Sequence, residues 1–318
     1  MIPMIELKSE LEGIIKLEVI KEDGTLKECS GLNVPFKNLI TDAGLDYVSG
    51  GSIITTAANY CRVGTSSTPP TVSDTTLGAQ TGSASPAGTA TDSVQYLTEP
   101  YYSEHQKVYT FAVGAVSGNL TEIGFFSNST GGTMWSRALI KDSGGNPTTL
   151  TLLATEQLKV TYTVRRYIPA SLTGSFTLNT NGTDSTINYT ITPANLANTD
   201  LHPFFRGACG DNDSPLYIYE TNTLGSIASI PSGNPTVQLL FTSSSYTRGT
   251  FQRNSSVTIN TTTANFATGI GSFIFWNPYY SSLSYCGYQC SLSPKIMKTS
   301  SQTLSIGIRI SWGRTTAQ

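Results

Sequence analysis

Charge is scarce in this sequence. Only 13% of its 318 residues are Asp, Glu, Lys or Arg, about half the roughly 25% of an ordinary soluble domain. The 19 basic and 21 acidic residues nearly cancel, 19 − 21 = −2, and no basic cluster is longer than the pair Arg165, Arg166. Nucleic-acid binding draws its affinity from cations that release counterions, so no nucleic-acid partner is expected. Long apolar runs are also missing. None approaches the roughly 20 residues of a membrane-spanning helix, and no membrane insertion is expected. The opening "MIPMIELKSELEGIIKLEVI" intersperses Glu6, Lys8, Glu10 and Glu12 among its apolar residues, unlike the uninterrupted core of a secretory signal. A protein made in the cytoplasm follows as an expectation. The sequons at Asn119, Asn128, Asn181, Asn188, Asn254 and Asn260 then read as a by-product of Asn/Thr-rich loops.

The groups that do chemistry are few. There are two histidines, His105 and His202, which limits the supply of general bases near neutral pH. His105 stands in a polar approach to a strand and His202 beside a turn at Pro203; both read as ordinary loop residues. No GxGxxG follows a strand, and Walker and HExxH motifs are absent, so no cofactor is expected. Five scattered cysteines, Cys29, Cys61, Cys209, Cys286 and Cys290, do not make a disulfide framework; free, partly buried thiols are expected. Cys209, Cys286 and Cys290 with His202 could supply four zinc ligands, but a single CxxxC lacks the paired knuckles of structural zinc sites. Asp211 and Asp213 begin like a calcium loop that lacks its later ligands, and an Asx turn fits better. Glu99, Glu104, Glu122 and Glu156 could in principle face one another as glycosidase carboxylates do, although nothing in the sequence places them together, and Glu156 precedes a strand on what reads as its polar side. No catalytic residue is assigned, and the chain is not expected to be an enzyme.

What is present is Ser, Thr, Asn and Gly in loops between short apolar strands, with 38% apolar and 10% aromatic residues. Few charges and many aromatics can still bury surface. An all-β chain is expected. Ile15, Leu17 and Val19 alternate ahead of Asp23-Gly24, a hairpin dipeptide, which predicts a leading hairpin. One short helix is predicted near residues 41–49, with Thr41 as cap, Asp42 in the first turn, Leu45 and Val48 on one face and Gly50 as a stop. "LTEIGFF", "TMWSRALI" and "LKVTYTVRRYI" read as strands, the last with Leu158, Val160, Tyr162 and Val164 on its apolar side. "QTGSASPAGTATDS" and "KDSGGNPTT" read as surface loops.

After Pro169 the same grammar returns. "TEIGFF" resembles "TGIGSFIFW", "LKVTYTVRR" resembles "LSIGIRISW", and the spacings agree: 158 − 123 = 35 and 304 − 270 = 34. Thr76-Leu77-Gly78 has its counterpart in Thr223-Leu224-Gly225. These matches point to an internal duplication and predict two tandem β-sandwiches, jelly-roll or Ig-like, at 1–168 and 169–318. Leu304, Ile306, Ile308, Ile310 and Trp312 form an apolar face that a second sheet or another subunit must cover.

Two loops stand out. "CRVGTSSTPPTVSDTTLG" is polar, stiffened at Pro69 and Pro70, and has no titratable residue of its own besides Asp74 once past Arg62. Such a loop loses little entropy on docking, and Gly64, Thr65, Pro69, Pro70, Asp74 and Leu77 are expected to form a contact with a neighbouring subunit. The second is "FWNPYYSSLSYCGY", where Trp276, Tyr279, Tyr280 and Tyr285 suit a glycan or a protein surface.

The order "NLITDAGLDYV", "CRVGTSSTPPTVSDTTLGAQ", "LTEIGFFSNSTGGTMWSRALI", "LKVTYTVRRY", over about residues 36 to 168, resembles a module of structural proteins of tailed bacteriophages, found in tail, baseplate, collar and fibre-attachment parts. Gly64, Thr65, Pro69 or Pro70, Asp74, Thr75 and Leu77 fit the family's "GTG-x-x-x-P-x-x-x-D-T-x-L" loop. Glu122, Gly124 and Phe126 fit its "E-x-G-x-F" strand. The resemblance implies a virion component present in several copies, a trimer or hexamer among other virion proteins, assembled in the host cytoplasm and with no active site to transfer. A carbohydrate-binding adhesin or receptor-binding protein that meets a host surface glycan, a capsid decoration protein and a glycan depolymerase are the alternatives.

Overall fold

In a computed structural model the alternating sequence forms strands almost throughout. The structure describes residues 2–28, 31–49, 54–197, 215–233, 235, 237–276 and 287–315. In chain order the elements are β1 (Met4–Ile20), β2 (Phe36–Lys37), β3 (Leu39–Ile40), helix α1 (Asp42–Val48), the short helical turn α2 (Ile54–Ala57), β4 (Tyr60–Gly64), β5 (Gln80–Ala84), β6 (Thr91–Gln95), β7 (Tyr101–Thr110), β8 (Gly118–Leu120), β9 (Glu122–Phe126), β10 (Met134–Leu139), β11 (Leu150–Leu152) and β12 (Gln157–Ile168). They continue as β13 (Leu172–Thr180), β14 (Thr183–Ala194), β15 (Pro215–Tyr219), β16 (Val237–Leu240), β17 (Thr242–Ser243), β18 (Gln252–Ile259), β19 (Ile270–Trp276), β20 (Gly287–Ile296) and β21 (Leu304–Arg314). The chain is all-β and sandwich-like.

It divides into two units, neither a single stretch of chain. The first holds Glu10–Asp92, Glu104–Arg166 and Gly313–Gln318; the second holds Met1–Ser9, Ser93–Ser103 and Tyr167–Trp312. The main division, between Arg166 and Tyr167, lies two residues from the expected 168/169 boundary. Three shorter segments join the unit that the sequence order does not assign them to. The division falls inside β1, β6, β7, β12 and β21.

In the first unit a five-stranded antiparallel sheet, β3-β10-β9-β4-β5, faces strands β1, β12 and β7. The interface is aromatic. Phe125 stacks on Tyr162 with ring centroids 3.7 Å apart, and Tyr109 meets Phe125 at 5.5 Å. Trp135 Nε1 donates to the Tyr162 hydroxyl at 2.7 Å, and Asn38 Nδ2 donates to the same oxygen and to Ser136 Oγ, so the Tyr162 hydroxyl gathers the polar side chains around it. Helix α1 starts where expected: Thr41 Oγ1 accepts from the Gly44 amide and donates to Met134 O, which fixes the helix on β10.

The second unit repeats the path. Its sheet runs β13-β14-β20-β19-β15-β16. With β13 set aside, β14-β20-β19-β15-β16 follows the same order of chain positions as β3-β10-β9-β4-β5. The matched segments "TEIGFF" and "TGIGSFIFW" are the two central strands β9 and β19, and "LKVTYTVRR" and "LSIGIRISW" are β12 and β21. The repeat read from the sequence is therefore a repeat of topology. The apolar face of β21 is covered within the chain: Ile306 and Ile308 are fully buried, and Tyr246 stacks on Trp312.

Four local expectations change. "QTGSASPAGTATDS" is not only loop: Gln80–Ala84 pairs with β4 as β5, and Thr91–Gln95 is β6. None of their side chains is buried, so pairing leaves no apolar signature. His105 is no loop residue. It lies inside β7, whose inward positions are Ser103, His105, Lys107 and Tyr109, and its Nδ1 is 2.7 Å from Asp92 Oδ1. Glu156 is buried rather than set on a polar side, because it accepts the Leu153 amide and pairs with Lys27 at 2.9 Å. The leading hairpin shrinks to a turn closed by one bridge, Ile20 to Leu26, while β1 runs on for 17 residues.

Candidate functional site

The loop Thr65–Ala79, between β4 and β5, is held from beneath by two charged side chains that the sheet buries. Glu122 opens β9 and Arg137 lies in β10, at 0% and 3% exposure. They are neighbours because β9 and β10 pair antiparallel, with Arg137 opposite Gly124, so Arg137 and Glu122 rise diagonally from one face. Arg137 donates through Nε (3.0 Å) and Nη2 (2.8 Å) to Glu122 Oε2, and through Nη1 (2.7 Å) to Asp74 Oδ2. Its Nη2 also donates to the carbonyl of Thr68 at 2.9 Å. One guanidinium thereby joins the buried strand to two points on the loop.

Glu122 performs the matching task for the backbone. Its Oε1 accepts the amides of Ala79 (2.7 Å) and Ser66 (3.3 Å), and its Oε2 accepts that of Gly78 (3.1 Å). Gly64 has no side chain because there is no room for one: a Cβ there would lie 2.4 Å from Ala79 O and 2.6 Å from Glu122 Oε1. Thr121 adds two bonds, from its amide to Gly64 O and from its hydroxyl to Ser66 O. Asp74 accepts the Thr71 amide and hydroxyl as well as Arg137. Burial alone would raise its pKa, but these bonds prevail and hold it below the ordinary value. Burial likewise opposes the charge of Arg137, and Asp74 and Glu122 outweigh it, so the guanidinium is held more firmly charged than usual.

Leu77 plugs the loop into the core, packed with Phe126 and Met134. Beside it Arg62, 4% exposed, lies 3.7 Å over the Phe126 ring and donates at 2.6 Å to the carbonyls of Asn128 and Gly131. At the far end the Asp42 amide donates to Val72 O, so the start of α1 ties down the loop as well. What remains outward includes Thr65, Ser67, Thr68, Pro69 and Val72. Pro69 and Pro70 also wall a groove of about 280 Å³ with Leu39, Leu139, Lys141 and Pro147.

Of the six residues expected at a subunit contact, the structure places five in this loop and Gly64 at the end of β4, and it divides them. Thr65 and Pro69 are exposed and Pro70 is half-buried, whereas Gly64, Leu77 and Asp74 act inward as anchors. The sequence reading missed Arg137 altogether. A basic residue three positions after Met134 in an apolar strand was the available signal. Of the aromatic group, Trp276 closes β19 opposite Gly287, and Tyr279, Tyr280 and Tyr285 lie outside the described residues, as do His202, Cys29, Cys209, Cys286, Asp211 and Asp213. Cys61 and Cys290 are free and buried, and burial raises both thiols. Among the described residues no three His, Cys, Asp or Glu side chains form a metal-binding group. Glu122 and Glu156 bind different parts of the first unit, and Glu104 pairs with Arg165.

Comparison of the chain with protein-family models, with curated proteins and with solved structures finds no match.

Proposed function

We propose that the chain is a structural component of a tailed-phage particle, of the tail, collar, baseplate or fibre-attachment apparatus, which acts through contacts between subunits. The observation that carries this reading is the anchored loop. Thr65–Ala79 commits the charged groups it meets to fixing its own backbone and leaves hydroxyls, Pro69 and Val72 outward, with Pro69 and Pro70 along a groove. A surface already ordered before contact loses less entropy on docking, and uncharged hydroxyls and prolines suit a permanent joint with another protein better than a reaction. The motif order Gly64-Thr65, Pro69-Pro70, Asp74-Thr75, Leu77 adds the resemblance to phage modules.

Deletion of Ser66–Thr71 is a poor test, because Arg137 and Glu122 would lose partners at Thr68 and Ser66 and the fold would suffer. The cleaner perturbation is Thr65→Arg with Pro69→Arg, which enlarges the outward side alone. The parent protein should form a defined oligomer by light scattering, and the double variant should lose at least tenfold in assembly affinity with an unchanged circular dichroism spectrum. An assembly indifferent to both arginines refutes the loop as the contact.

A further inference from the structure

The ends of the sheets differ in a way that bears on assembly. A strand at the end of a sheet exposes a row of unpaired backbone groups, and proteins blunt such edges by keeping them short, charged, proline-bearing or bulged. Among the described residues, the end strands β3, β5, β6, β8, β11, β16 and β17 are all five residues or shorter. The exception is β13, nine residues long. Its sequence, Leu172-Thr-Gly-Ser-Phe-Thr-Leu-Asn-Thr180, has no charge and no proline. Nor is it bulged: it pairs with β14 over nine consecutive positions, Leu172 opposite Ile191 through Thr180 opposite Thr183, without a register shift. The two-residue turn Asn181-Gly182, with φ of 53° and 87°, keeps the hairpin straight to its tip. Thr173, Ser175, Thr177 and Asn179 lie on one face, and Phe176 is buried on the other.

We infer that the free edge of β13 pairs antiparallel with β13 of a second copy of this chain, about a two-fold axis at Phe176. That register leaves none of the nine residues over. It sets Phe176 beside Phe176, Leu178 beside Gly174 and Leu172 beside Thr180 on one face, and Ser175 beside Thr177 and Thr173 beside Asn179 on the other, so an apolar centre lies over a face that is polar throughout. Within each copy Phe176 already stacks on Tyr189 at 6.3 Å, and the pairing extends this into a row of four rings, the kind of cross-strand contact that stabilises sheets. No like charges meet, because the edge has none. A two-fold contact closes on itself, which gives a pair instead of an open fibre. The inference concerns the second unit and does not depend on the loop of the first.

The test is a charge swap read by light scattering. The chain mass is 34.0 kDa, and the unsubstituted protein should have twice that mass or an even multiple of it. Ser175→Lys with Thr177→Lys sets lysine against lysine twice across the axis, while the facing β14 residues Asn188 and Thr186 are neutral. It should raise the dissociation constant of the pair at least tenfold. Ser175→Glu with Thr177→Lys sets opposite charges against each other and should restore it. A monomer, an odd-numbered oligomer, or equal behaviour of the two variants overturns the inference. Hydrogen exchange on the unsubstituted chain reads the same contact without a variant: amides of β13 should slow as the protein is concentrated, and concentration-independent exchange there counts against it. If Thr65→Arg with Pro69→Arg disrupts higher assembly but leaves the pair, the two contacts are separate.

Discussion

Replacing Glu122 by glutamine changes one atom, and the structure predicts that it loosens the whole loop. Every group that touches the two carboxylate oxygens is a donor: the amides of Ser66 and Ala79 at Oε1, the amide of Gly78 and two nitrogens of Arg137 at Oε2. An ionised carboxylate accepts at both oxygens, whereas glutamine accepts at one and donates at the other. In its better orientation the substituted side chain keeps Gly78 and Arg137 and turns its NH₂ on Ser66 and Ala79. An unsatisfied buried donor costs about 1–3 kcal/mol. Both amides belong to residues that retain some contact with solvent, so about 1 kcal/mol each applies. Weakening the charge-assisted bonds to Arg137 adds about 1 kcal/mol. The sum, about 3 kcal/mol, is about a hundredfold in an equilibrium constant. Hydrogen exchange at Ser66, Gly78 and Ala79 is the assay, because it reads local opening without assuming that two units unfold as one. Exchange should accelerate on the order of a hundredfold in Glu122→Gln. In Asp74→Asn, where Arg137 keeps Glu122, it should rise by only about tenfold. Acceleration in Glu122→Gln below about threefold would refute the account of Glu122 as an acceptor-only anchor.

Two further outcomes follow from the same chemistry. Asp74 has a folded-state pKa below its unfolded value of about 3.9, so its contribution is complete above that value and lost as pH falls through the folded one. The difference in loop exchange between the parent and Asp74→Asn should therefore shrink as pH falls below about 4; a difference that grows there contradicts the ion pair. In the second unit Gln289, fully buried, donates to the carbonyls of Gly225 (2.9 Å), Pro193 (3.0 Å) and Ser226 (3.3 Å) and accepts the Gly225 amide at 2.8 Å. Gln289→Glu sets a carboxylate against those carbonyls and should cost about 2–4 kcal/mol at pH 7 in chemical denaturation, less in acid where the added carboxyl holds a proton; equal cost at both pH values argues against it.

The strands were legible because their signal is short-range. Leu158, Val160, Tyr162 and Val164 alternate, and they are buried; Thr41 is a good cap, and it caps α1. The anchor of the loop was legible only in part. Glu122 sits in a strand motif and Asp74 in a loop motif, but Arg137 stands 15 residues from the first and 63 from the second, and nothing in a single chain reports a diagonal across β9 and β10. The β5 and β6 strands were missed for the opposite reason. Their hydrogen bonds come from backbone, which every sequence has, and their side chains face solvent, so composition reads them as loop. The role of β13 as a long edge was out of reach for the same reason, since being at an edge is a property of the neighbours it lacks.

The two units keep one strand path and hold matching loops with opposite chemistry. Thr76-Leu77-Gly78 is bound by a carboxylate ringed with donors. Thr223-Leu224-Gly225 is bound by an amide that faces three carbonyls and one N–H. A strand in a sandwich is constrained on both faces and at both edges, so few substitutions preserve it, and β9 and β19 still read alike. A loop needs only that its own buried polar groups find partners, and many side chains can supply them. The two units therefore differ in the anchors and in the surfaces they present. The first unit offers a rigid, hydroxyl-rich loop, which can join a different surface. The second offers a long neutral edge, which complements itself. If the chain builds a particle, the units should contribute separate joints, and a variant that abolishes one should leave the other measurable.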